Sequence, residues 1–180
     1  MSWSLAVGIV AAVLLFWGIG AYNRLMQLRN AIGMAFAQLD QHLTARAELC
    51  GQLLTQLRPL LPSEQATFDT LDSAQAEAQS ASSSARAKPY SGDPVANLAV
   101  AGAVHAAALT RLMSLLEHQP ELRAQAGIDA MVDELKMIER QRAFARQVFN
   151  QAVGHYNGAA QAFPTRILAS LYGFAEARSL

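Results

Sequence analysis

The chain has 180 residues, enough for one domain and an anchor. Its 14 Lys+Arg balance 14 Asp+Glu, so no net charge argues for nucleic acid or acidic ligands. Hydrophobic residues make up 52%, much of it alanine, and aromatics only 7%, which favours closely packed helices over a bulky β-core. The lone Cys50 excludes an internal disulfide.

The first 22 residues read as a transmembrane helix. From Trp3 to Tyr22 there is no charged residue, and a helix of that length covers a bilayer's hydrocarbon core of about 30 Å. Trp3 at one end and Trp17 and Tyr22 near the other suit the two interfaces. Only Met1-Ser2 precedes the run, without the positive charge of a secretory leader, so an uncleaved anchor is the expectation. Arg24 and Arg29 follow it, which places the N-terminus outside and the C-terminal domain in the cytoplasm.

Residues 23–162 read as a helical domain. Leu25, Leu28, Ile32, Phe36, Leu39, Leu43, Cys50, Leu54 and Leu57 recur at three and four residues, a helical stripe that continues out of the membrane until Pro59 and Pro62. Ser63 is a fair N-cap for a second helix with Phe68, Leu71, Ala74, Ala78, Ala81 and Ala85 inward. The late part of that helix, AQAEAQSASSSARA, reads as a close-packed helix, with a flexible linker as the alternative. KPYSGDP is a turn, and Asp93-Pro94 starts a third helix to about His118, with Val95, Leu98, Gly102, Ala106, Leu109, Leu112 and Leu116 inward. Pro120 breaks it. A fourth helix is expected from about Gln125 to Ala162, with Gly127 and Gly154 too weak to interrupt it. The fold class is therefore all-α: an N-terminal transmembrane helix continuing into an antiparallel four-helix bundle.

Such a bundle returns the chain to the membrane for residues 163–180. Phe163, Ile167, Leu168, Leu171, Tyr172 and Phe174 form an apolar tail after Pro164, which suits a membrane surface, a partner, or the base of the bundle itself. With Tyr22 level with Ala162, Asp40 falls between Arg142 and Arg146, and a partly buried pair there sets the register. The same register levels Glu48 with Lys136. Asn23, Asn150 and Asn157, with Tyr22 and Tyr156, fall toward the membrane-proximal base, placed to cap it by hydrogen bonds, with a ligand site there as the alternative.

Three stretches resemble the LemA family of bacterial membrane proteins. YNRLMQLRNAIGMAFAQLDQHL, Tyr22 to Leu43, is similar to the family's opening. ERQRAFARQVFNQAVGHYN, Glu139 to Asn157, is similar to its Phe-Ala-Arg-Gln-x-Tyr-Asn motif and later Tyr-Asn, with Phe149 in place of the first Tyr. FPTRILASLYGF is similar to its Phe-Pro…Gly-Phe ending. The stretch Thr44 to Leu54 departs from the family's Ile-Pro-Asn-Leu segment. The resemblance implies a membrane-anchored bundle in a bacterial inner membrane and no assigned reaction.

No catalytic signature is present. His42, His105, His118 and His155 make no metal-binding pair, and there is no phosphate loop, nucleophile elbow or CxxC, so no enzyme, metal or cofactor is expected. The expected role is a single-pass scaffold that self-assembles or binds membrane-protein partners, with the lipid bilayer itself as the other partner. The alternative is lipid-interface binding or membrane remodelling through the tail. A small-molecule receptor would need a deep polar pocket with a perturbed titratable group, which the sequence alone does not offer.

Overall fold

The computed structural model describes residues 3–125 and 127–180. Met1 and Ser2, in the expected anchor, and Ala126, near the expected start of the fourth helix, lie outside the described residues. Helix α1 runs unbroken over Trp3–Leu60, 58 residues or about 87 Å. Pro59 falls in its last turn, and neither Gly33 nor Gly51 interrupts it. The most apolar 18 residues near its start have mean hydropathy 2.2, and none of them is buried. It is long and apolar enough to cross a membrane, and Trp3, Trp17 and Tyr22 are exposed along it.

The chain reverses through a 3-10 turn at Pro62–Glu64. Gln65 ties that reversal down by donating from Nε2 to the carbonyl of Arg58 at 3.1 Å, while Arg58 reaches Asp69 at 2.9 Å and Asp72. Helix α2 then covers Gln65–Ala87, two residues after the expected Ser63 cap and without a side-chain cap bond. The Ala/Ser-rich stretch is thus helical, not a linker. Helix α3 covers Gly92–Glu117, so Asp93 lies in its first turn, where the helix dipole still favours its charge. By length and mean hydropathy, 1.5, α3 also passes for a membrane span, but Val95, Leu98, Leu109, Leu112 and Leu116 are buried in the protein core.

The expected fourth helix is corrected at its start. A short α4, Pro120–Arg123, precedes Gly127, which has φ +91 and caps the long α5, Ile128–Gln161. A side chain at that φ is strained, so glycine there separates two helices despite its weak breaking power inside one. All regular elements among the described residues are helical.

α1 packs most closely on α5, and α2 on α3. The second contact is close because α2 turns Ala74, Ala78, Ser82 and Ala85 inward. Contacts along α1 and α5 run in opposite order. Phe36 meets Phe149 edge-on, ring centroids 5.8 Å apart, and further along α1 Arg46 meets Glu139, which comes earlier in α5. Two apolar cores result. One holds Leu49, Leu53, Leu57, Phe68, Leu71, Leu112, Val132 and Leu135. The other holds Leu25, Ile32, Phe36, Val95, Leu98, Phe149, Val153 and Tyr156. Arg29 closes the second by lying 3.5 Å over the ring of Tyr90, which pins the α2–α3 turn to α1.

The C-terminal segment folds back on this end. Helix α6 covers Thr165–Leu171, and Gly173, at φ +69, turns the chain along α5. Asn157 donates to the carbonyl of Ala177 at 2.8 Å and accepts from its amide at 2.9 Å. Asn150 does the same to Leu180, at 2.8 and 2.9 Å. Each amide side chain replaces a strand neighbour. The spacing works because seven helical residues and three extended ones both span about 10 Å. Tyr156 adds a bond from its hydroxyl to the carbonyl of Ala175 at 2.9 Å.

Asn157→Ala removes two of these bonds and costs about 1–3 kcal/mol. The expected readout is faster hydrogen exchange at the Ala177 amide with α5 still protected. Asn150→Ala releases Leu180 and leaves Ala177 protected.

Candidate functional site

Between the two apolar cores lies a layer of polar side chains drawn from all four long helices. Arg46 of α1 is 2% exposed, and its Nη1 donates to Glu139 Oε1 of α5 at 3.2 Å. Arg142, one turn on, donates to the other carboxylate oxygen from Nη2 at 2.8 Å and from Nε at 3.2 Å. One carboxylate therefore serves two guanidinium groups. Burial pushes Glu139 up, but Arg142 and Arg46 outweigh it and hold the carboxyl below its ordinary range. Burial lowers the pKa of Arg46, opposed by Glu139.

Asp40 sits on the same side of α1 as α2. It accepts from Ser82 Oγ at 2.6 Å and from Arg86 Nη2 at 2.8 Å. The expected partners Arg142 and Arg146 are not the groups it meets. The register set by Phe36 and Phe149 puts Asp40 level with about Ala145, but its carboxylate points to α2, so the charge pair joins α1 to α2. Glu48 is exposed, and Lys136 pairs with Asp133 of its own helix at 4.0 Å.

His105 of α3 completes the layer. It is 1% exposed, and neither ring nitrogen has a hydrogen-bond partner among the described residues. Burial, with Arg46 and Arg142 adding to it against Glu139, pushes its pKa down to about 4. The ring is therefore neutral at pH 7, with one donor and one acceptor unused. Gln75 Oε1 on α2 is likewise unpartnered. His105, Gln75, Ser82, Arg46 and Asp40 line one cavity of about 250 Å³, which opens past the exposed Gln79, Ser83 and Arg86. Cys50, just beyond, is held at about pKa 11 mainly by burial, so its thiol is inert.

These residues were missed among the apolar stripes, although the spacing reaches them. On α1 the alternating step of four and three runs Leu39, Leu43, Arg46, Cys50, Leu53, Leu57. On α2 it runs Phe68, Leu71, Gln75, Ala78, Ser82, Ala85, and on α3 Leu98, Gly102, His105, Leu109. On α5 it runs Leu135, Ile138, Arg142, Ala145, Phe149. Each helix places a polar residue at an inward seam position near the same level. Ala106, expected inward, is only half-buried.

The tail residues divide. Leu168 lies near Gly18, within 3.8 Å of where a Cβ would stand, and Phe174 packs on Tyr22 with ring centroids 5.7 Å apart. Tyr172 touches Tyr22 at 5.3 Å yet stays largely exposed, as do Phe163, Ile167 and Leu171.

The family model described as the LemA family matches residues 35–180, most of the chain. The chain belongs to the LemA family. No curated protein matches it. The polar layer and the asparagine clamp both lie inside the LemA match, whereas the apolar start of α1 lies before it.

The pH dependence follows from His105. Its folded pKa is depressed, so the unfolded state binds more protons between about pH 6.5 and 4. Stability therefore rises with pH across that window and is lost as pH falls, on the order of 3 kcal/mol from this group. Thermal melts of His105→Leu should lose most of this slope and show no loss of stability at pH 7. Glu139→Gln, which leaves Arg46 buried without its carboxylate, costs about 3 kcal/mol, and adding Arg46→Met recovers most of it.

Proposed function

We propose that this LemA-family chain is a non-enzymatic, single-pass membrane scaffold. Its domain is an antiparallel four-helix bundle, held at the cytoplasmic face of a bacterial inner membrane with the N-terminus outside. It self-assembles or docks membrane-protein partners there. The observation that carries this reading is the continuity of α1, whose exposed apolar third runs without a break into the packed core. Such a helix fixes the height and direction of the domain over the bilayer. Exposed Val100, Val104 and Phe144 on the outside of the bundle supply apolar contact points for a second chain. Native mass spectrometry from lipid nanodiscs is expected to show more than one copy or a co-purified membrane protein. Monomer alone, with no partner crosslinked in the membrane, overturns it.

A second reading rests on the tail. Phe163, Ile167, Leu171 and Tyr172 are exposed beside Gly18 and Tyr22, at the end of the apolar run, where an interfacial surface would bury them in lipid. The check is Leu171→Trp in a background carrying Trp3→Phe and Trp17→Phe, reconstituted with brominated lipids. Strong quenching of the tryptophan emission is expected, and emission unaffected by the bromines rules the tail out of the interface.

A further inference from the structure

The cavity in the polar layer is built more like a receptor than a gap in packing. Its floor is charged and buried, and its unused hydrogen-bonding groups converge. Among the described residues Arg46 pairs with Glu139 alone and shares it with Arg142, so the buried side of the layer carries one positive charge in excess. At the other wall Asp40 and Arg86 cancel each other. His105 offers one donor and one acceptor, and Gln75 Oε1 one more acceptor, all without protein partners among the described residues. A buried polar group left unpaired costs about 1–3 kcal/mol, so groups like these are ordinarily satisfied. An occupant suited to the site brings an anionic group for the excess charge and a donor for an unpaired acceptor.

Size and place narrow the class. A cavity of about 150 Å³ holds benzene, so about 250 Å³ admits a somewhat larger molecule but not a drug-sized one. Asp40 at the rim stands about 27 Å along α1 from Tyr22, which is beyond reach of a lipid headgroup at the end of the apolar run. We propose that the cavity floored by Arg46, Gln75, Ser82 and His105 binds a small free monoanion that carries its own hydrogen-bond donor, in the class of hydroxycarboxylates. The carboxylate meets the Arg46 side of the layer, and the hydroxyl donates toward Gln75 Oε1 or the bare nitrogen of His105. This assignment does not depend on the scaffold reading.

The test uses the full chain in nanodiscs with 15N-labelled histidine. L-lactate supplies a carboxylate with a hydroxyl, acetate the carboxylate alone, and propane-1,2-diol the hydroxyls alone. Lactate is expected to move the His105 ring signals saturably, with an affinity at least about tenfold above either partial probe, while His42, His118 and His155 stay in place. Lactate should also raise the melting temperature of the wild type and not that of His105→Leu or Gln75→Leu. His105 signals that ignore lactate, or that respond alike to all three probes, overturn the assignment. So does an undiminished thermal shift in His105→Leu. The titration on the unaltered chain decides the matter even if a variant fails to fold.

Discussion

The Arg46–Glu139 pair is the constraint around which the bundle is arranged. A guanidinium almost wholly out of water must meet its carboxylate, and only one sliding position of α1 against α5 allows that. With that position set, Phe36 faces Phe149 on one side of the layer and Leu53 faces the Val132 region on the other. Apolar seams built from leucine and alanine tolerate a shift of one heptad with modest loss. A buried charge does not, because a shift would strand it against hydrocarbon. The same residue gives the cavity its surplus charge and helps hold His105 neutral. Register, electrostatics and the candidate binding site therefore share one side chain.

The asparagine clamp complements this at the other end. Asn150 and Asn157 read the backbone of the returning tail, not its side chains, so the tail's own residues are free to vary where they face outward. Leu168 and Phe174 dock on α1, and their neighbours Ile167, Leu171 and Tyr172 remain uncovered. A segment fixed by its main chain can thus present an apolar surface without needing that surface to stay folded.

Much of this was legible in the residues. Continuous helicity through Tyr22 to Leu57 followed from a three-four spacing with one gap, between Leu43 and Cys50, where Arg46 sits, and the Ala/Ser stretch of α2 followed from helix propensity. Two things were hidden. Asp40 was given the right neighbours in height but the wrong face, because levels along a helix depend on length whereas facing depends on rotation, and α2 competes with α5 for the same carboxylate. His105 and Gln75 were passed over because a polar residue in an apolar seam looks like an interruption of the pattern, not a member of it. Gly127 separated α4 from α5 through its backbone angle, which composition does not encode.

α1 has no joint. In the anchored arrangement proposed above, its apolar third and the two thirds that pack in the bundle are one rigid lever, so any lean of the part in the bilayer is a lean of the whole domain. A thinner membrane tilts a long apolar helix further from the normal. Over a shaft of about 87 Å, a few degrees at the base becomes a displacement of several ångströms at the tip near Leu60. The thickness of the surrounding lipid is in this way written into the posture of the domain above it.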